Sequence, residues 1–147
     1  MAVRFQPVIK RARFDAPGFS PQDMLQFGTT LLRSIQDRLD RGQTIYDAAA
    51  PPLRENYMRR KERVAGMNIR DLRLTGRTRR GMKVLEAGHN YALIGFSDPE
   101  AANRVRWNQR RSRQWGVSPT NERELAQSVT EALTPPVTPV QLPVLAA

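Results

Sequence analysis

Cysteine is absent from the 147-residue chain, and histidine occurs once, at His89. The first absence excludes a disulfide framework, a thiol nucleophile and any cysteine-based zinc site. The second excludes a multi-histidine metal site and leaves little for histidine-based acid–base or nucleophilic chemistry. Long apolar runs are missing as well. The longest well-formed one, Tyr91-Ala-Leu-Ile-Gly-Phe96, has six residues, against about 18 needed to cross a bilayer. The N-terminus, Met1-Ala-Val-Arg-Phe-Gln-Pro7, lacks the apolar stretch of a secretory signal, so a cytoplasmic site of assembly is expected. No glycine-rich phosphate loop is present. Thr75-Gly-Arg-Thr-Arg-Arg-Gly81 has two glycines but neither the Walker spacing nor its Lys-Ser/Thr. Lysine is scarce, and no internal repeat is visible.

Arginine is plentiful instead: 21 residues against 3 lysines. Arginine favours planar, bidentate or stacked contacts over diffuse solubility charge. The net charge is +10, and residues 54–113 hold 16 basic and 6 acidic side chains, which accounts for all of it. Polyanions and acidic protein surfaces both fit such a stretch. Hydrophobic residues make up 39%, enough for one core with little apolar surplus.

Local signals divide the chain into an N-terminal arm (1–19), one domain (20–133) and a C-terminal arm (134–147). The first arm mixes Phe5, Val8, Ile9, Phe14 and Phe19 with basic residues and two prolines. It is too apolar for an inert tail and is expected to dock on a surface, with a short strand possible at 2–6. Ser20-Pro21 predicts a helix start, Gly42 its stop, and Leu25, Leu32, Ile35 and Leu39 its apolar face, widened by Met24, Phe27 and Leu31. Arg33, Asp37, Arg38, Asp40 and Arg41 read as a solvated, salt-bridged face. Pro52 can open a second, strongly basic helix with a narrow stripe of Leu53, Tyr57, Lys61 and Val64, ending at Gly66. Residues 67–75 fit a strand or an irregular turn.

Met82–Glu86 and Tyr91–Phe96 predict paired strands, joined by a turn at Ala87-Gly-His-Asn90. His89 reads as a turn residue. Ser97-Asp-Pro-Glu100 fits a capping box with Ser97 as N-cap. The helix after it runs into the Arg- and Trp-rich stretch Arg104–Trp115 and breaks at Gly116. Ser118-Pro119 starts a last helix, with Leu125, Val129 and Leu133 in line. The second arm contains Pro135, Pro136, Pro139 and Pro143 and no charged side chain, which predicts an extended segment. Its Val137, Val140, Leu142, Val144 and Leu145 are the residues expected to dock on a neighbouring surface. The fold class predicted is α+β, amphipathic helices on a small antiparallel sheet with an extended arm at each end.

Two arginine-rich stretches are the candidate site. Arg77, Arg79 and Arg80 lie within four residues and fit phosphate or carboxylate contacts, or simply an exposed basic turn. Arg104, Arg106, Arg110, Arg111 and Arg113 alternate with Trp107 and Trp115, residue types that stack on bases and grip phosphates and that are also enriched at protein interfaces. The plainer alternative makes one tryptophan core and the arginines solvated. Nothing in the sequence converges as a catalytic constellation.

Taken in order, these pieces resemble the head–tail joining (neck or tail-completion) proteins of tailed bacteriophages, the virion morphogenesis family. The resemblance covers roughly residues 20–133. It is carried by a first helix ending in Arg41-Gly42, then Ala50-Pro-Pro-Leu53, then Tyr57, Lys61 and Gly66. Leu74-Thr-Gly76 follows, then Ile94-Gly-Phe96 closing the strand pair, Asn108-Gln-Arg-Arg111, and Gly116-Val-Ser-Pro119 before the last helix. It implies a small α+β subunit of a ring of six or twelve copies in the virion, assembled in the host cytoplasm. Such a ring joins portal or adaptor proteins to tail or collar proteins, and DNA passes loosely through its channel. It implies no catalysis, cofactor, metal or membrane partner. The rival reading of the residues is an arginine-rich nucleic-acid-binding module.

Overall fold

Helix α1 (Pro21–Asp40) starts where Ser20-Pro21 predicts. The computed structural model describes residues 4–8, 11–67, 70 and 76–134. Ser20 Oγ accepts from the Asp23 amide at 3.2 Å, and the Asp23 carboxylate accepts from the Ser20 amide at 3.1 Å. This reciprocal cap satisfies donors that a helix start otherwise leaves without partners. The helix stops before Gly42, whose φ of 66° lies in the left-handed region that glycine enters without strain.

The buried face of α1 consists of Met24, Phe27, Gly28, Leu31, Ser34, Ile35, Arg38 and Leu39. It corrects the sequence reading at both margins. Leu25 is exposed, because a stripe stepping i, i+3, i+4 from Met24 leaves position 25 about 100° further round the helix. Arg38, read as solvated, lies on the stripe and is buried.

A four-stranded sheet lies under this helix. It is formed by β1 (Arg4–Val8), β2 (Arg11–Asp15), β3 (Met82–Gly88) and β4 (Tyr91–Phe96), in the order β1-β2-β4-β3 with every pair antiparallel. The β3–β4 hairpin is the predicted one, and its turn falls at His89-Asn90, with His89 exposed. A bulge between Val84 and Glu86 shifts its register.

The N-terminal arm is corrected here. β2 is an inner strand, paired with β4 from Arg11↔Gly95 to Asp15↔Tyr91, and Phe14, Ala16 and Phe19 are buried in the core. The segment does dock, but on its own domain. The physical reason is β4, which buries Ala92, Ile94 and Gly95 and so has a partner along each edge. β3 covers one edge and β2 the other. Asn90 fixes the join: its Oδ1 accepts from the Gly18 amide at 2.6 Å and the Phe19 amide at 3.3 Å, and its own amide donates to the Phe19 carbonyl. The C-terminal arm, with Val137, Val140, Leu142, Val144 and Leu145, lies outside the described residues, as does most of 67–75.

The remaining helices are α2 (Glu55–Ala65), α3 (Arg77–Arg80), α4 (Pro99–Gln109) and α5 (Pro119–Leu133). Two predicted starts move. α2 begins at Glu55 rather than at Pro52, and no side chain caps it. α4 takes Asp98, not Ser97, as N-cap: Asp98 Oδ1 accepts from the Glu100 amide at 3.0 Å, while the Ser97 amide donates to the Gly81 carbonyl at 2.9 Å. Ser118 and Asn121 form the capping box of α5. The fold is therefore α+β, with α1 packed on β3, β4 and α5. Among the described residues, no helix is long and apolar enough to cross a membrane.

Gly28 sets how closely α1 approaches the sheet. A Cβ there would lie 3.1 and 3.3 Å from the Val84 methyls and 3.5 Å from Ala92 Cβ. Gly28→Leu is expected to cost about 1–3 kcal/mol through overpacking, read as a lower urea midpoint. An unchanged midpoint would show that the helix–sheet spacing is not tight.

Candidate interface and basic surface

The ten candidate residues do not form one site, and the end of α4 explains why. The helix stops at Gln109 because the Gln109 side chain substitutes for a backbone partner. Its Oε1 accepts from the amides of Gln114 (2.9 Å) and Trp115 (3.1 Å), and its Nε2 donates to the Trp115 carbonyl at 2.7 Å. The chain folds back at 110–114, and Trp115 enters the core, 4% exposed, with its ring centroid 4.6 Å from that of Phe96. Trp115 is thus a core residue, not a surface contact. Trp107 stays outside at 66% exposure, with the Arg110 guanidinium 4.7 Å from its ring centroid, within cation–π range.

The first basic cluster is divided between the interior and the surface. Arg79 is buried and donates through Nη2 to Asp40 Oδ1 at 2.9 Å and through Nη1 to the Gln36 carbonyl at 3.1 Å, which ties α3 to the end of α1. It is a structural clamp rather than a polyanion contact. Arg77 donates to Asp98 at 2.6 Å and pairs with Glu100, which also takes Arg104. The Arg77 hydrogen bond holds the Asp98 carboxyl below its usual range. These exposed pairs contribute little stability, but they occupy Arg77 and Arg104. Arg80 and Arg106 are exposed. Arg113 donates to the Tyr46 hydroxyl at 2.9 Å.

The most demanding group in the region was read from the sequence as solvated. Arg38 has no exposed surface. Its Nε donates to Asn121 Oδ1 at 3.0 Å, its Nη1 to the Gln43 carbonyl at 3.2 Å, and its Nη2 to the carbonyls of Gln114 (2.9 Å) and Gly116 (2.8 Å). Burial pushes its pKa down to about 10, which leaves it cationic near neutrality. Asn121 Nδ2 in turn donates to Ser34 Oγ at 2.7 Å, and Ser34 donates to Glu124. One signal for this was present in the sequence: position 38 falls three after Ile35 and seven after Leu31, on the apolar face.

The chain matches no protein-family model, no curated protein and no solved structure.

The surface that remains centres on α2. Lys61 is its one buried residue, whereas Tyr57 (41%) and Val64 (57%) are exposed on the predicted stripe. No other described helix or strand packs extensively on it. Arg111, the last of the candidates, faces the start of this helix beside Leu53, Arg54, Tyr57, Arg70 and Asn108. Arg54 and Arg70 were not among the predicted site residues. Nothing in their spacing places them near Arg111, because the fold-back after Gln109 brings the segments together. Among the described residues, no three His, Cys, Asp or Glu side chains converge as a metal site would require.

Replacing Arg38 strands four acceptors inside the protein. Arg38→Met is expected to cost about 3–5 kcal/mol, the range for breaking a buried charged network. Arg38→Lys should recover little, because an ammonium lacks the fork geometry that reaches all four. Chemical denaturation of both variants checks this. A loss below about 1 kcal/mol in Arg38→Met would show that the network is dispensable.

Proposed function

We propose that the chain is a structural subunit of a bacteriophage head–tail junction. It would form a ring of six or twelve copies that links portal or adaptor proteins to tail or collar proteins around the DNA channel. The observation that carries this reading is α2, an 11-residue amphipathic helix that buries Lys61 but leaves Tyr57 and Val64 of its stripe exposed. Helices of that length draw most of their stability from tertiary packing rather than from propensity. Under this reading a neighbouring subunit covers Tyr57 and Val64. Three features add support: the α+β fold that the resemblance implies, the outer strands β1 and β3 as two edges for strand addition, and the exposed Trp107, Tyr46 and Leu133. In this reading the subunit is a virion component with no catalytic role and no cofactor, and segment 134–147 is an arm lying on the next copy.

The interface claim is tested by sedimentation velocity on the full chain and on Val64→Asp. Wild type should sediment as a closed oligomer and Val64→Asp as smaller species. The variant's melting temperature should stay within about 2 °C, because an exposed side chain contributes little to the fold of one subunit. A variant that assembles like wild type, or one that unfolds instead of dissociating, would contradict the reading.

A further inference from the structure

The start of α2 and the turn after α4 enclose a cavity of about 220 Å³ lined by Leu53, Arg54, Tyr57, Arg70, Asn108 and Arg111. Three guanidinium-bearing residues face one small space, and among the described residues no carboxylate lines it. Glu55, next to Arg54, is taken by Arg59 one turn on. Asp71, next to Arg70, lies outside the described residues. Like charges gathered without a counter-ion raise the free energy of the empty pocket, and an anion would relieve that.

The pocket is also organised in advance. Arg70 Nε donates to the Pro51 carbonyl at 2.9 Å and its Nη2 to the Pro52 carbonyl at 3.2 Å. Its own carbonyl accepts from the buried Gln114 side chain, which the fold-back after Gln109 puts in place. Burial and, second to it, the nearby positive charge of Arg111 push the Arg70 pKa down. Among the described residues Arg54 and Arg111 have no side-chain ion pair or hydrogen bond, and both are exposed, which leaves them open to a ligand. Tyr57 can supply a neutral donor through its hydroxyl, whereas the Asn108 amide already donates to the Arg104 carbonyl at 3.0 Å. The first turn of α2, which contributes Tyr57 to the lining, has no side-chain cap, and a helix start carries partial positive charge.

We infer that this pocket is a phosphate site, occupied by a phosphodiester of a nucleic-acid backbone. Guanidinium forks match phosphate oxygens in pairs, and phosphate contacts of this kind position nucleic acid without reading its sequence. The exposed Trp107 precedes the lining residue Asn108 in sequence and offers a ring on which a base could stack. The inference does not require a ring, since a monomer would carry the same pocket.

The test is fluorescence anisotropy of a labelled 20-base-pair duplex titrated with the full chain at several salt concentrations. It compares wild type, the double variant Arg54→Gln with Arg111→Gln, and a control double variant, Arg60→Gln with Arg63→Gln, which removes the same charge from α2 outside the pocket. The pocket variant should bind at least about fivefold more weakly than the control, with a log K against log salt slope shallower by about 1. Equal losses in both variants would mean diffuse attraction and overturn the site. Wild type that binds pyrophosphate by calorimetry but ignores duplex would overturn the nucleic-acid occupant. Wild type that binds neither overturns the whole inference, and a ring found under those conditions would still leave the assembly reading standing. Unchanged melting temperatures confirm that the variants are folded.

Discussion

A single buried guanidinium holds together the half of this protein that carries its candidate surfaces. Arg38 occupies a core position on α1, near the Asp47 carboxylate but without a direct ion pair to it, and it satisfies four neutral acceptors from three separate segments. Burying a charge is costly, and it is tolerated where the geometry meets every donor. Here one planar fork makes four hydrogen bonds, three to backbone carbonyls that no regular element partners and one to the Asn121 side chain. Through Gln43 the fork fixes the chain leaving α1, through Gln114 and Gly116 the turn after α4, and through Asn121 the first turn of α5. Asn121 serves twice, as the N3 partner of Ser118 and as the acceptor for Arg38. The cap of α5 and its docking on α1 are therefore one network.

That arrangement decides which arginines remain for other work. The charge excess of residues 54–113 looks uniform along the chain but is not uniform in space. Arg79 is consumed inside, and Arg77 and Arg104 are neutralised by Asp98 and Glu100. Arg110 lies on Trp107. Of the rest, Arg59, Arg60 and Arg63 lie on α2 and Arg111 meets Arg54 and Arg70 at the pocket, while Arg80, Lys83 and Arg106 are exposed elsewhere. The turn 110–116 is thus a sorting device. Gln109 folds it, Arg38 anchors it, and its residues alternate between the interior (Ser112, Gln114, Trp115) and the surface (Arg111, Arg113).

Local chemistry made much of the fold legible from the residues alone. Ser20-Pro21, Ser118-Pro119, Gly42 and Gly66 mark helix ends because capping and left-handed φ are properties of a few neighbouring residues. The β3–β4 hairpin is visible for the same reason. What escaped was set by distant partners. β2 alternates charged and apolar residues as a half-buried strand should, but Pro7 and Pro17 on either side of it and its basic neighbours resemble an arm until β4 supplies the partner. Arg38 carries a charge that reads as solvated unless its place on the apolar stripe is weighed above its type. Ser97 and Asp98 compete for one cap, and the Gly81 carbonyl, reached only through the fold, takes Ser97. The candidate site was half legible: Trp107, Arg110 and Arg111 are at the surface as expected, Trp115 and Arg79 are not, and Arg54 and Arg70 join only through the fold-back.

A small core, an amphipathic helix with Tyr57 and Val64 exposed and a crowded set of arginines leave apolar surface uncovered on the single chain. We propose that assembly into a closed ring covers α2 and completes this burial, and this is the central claim. A native mass spectrum of the full chain at near-physiological ionic strength tests it most directly. The account expects one discrete oligomer, at six or twelve times the subunit mass. A spectrum of monomers alone, unchanged as the protein concentration is raised, would contradict it.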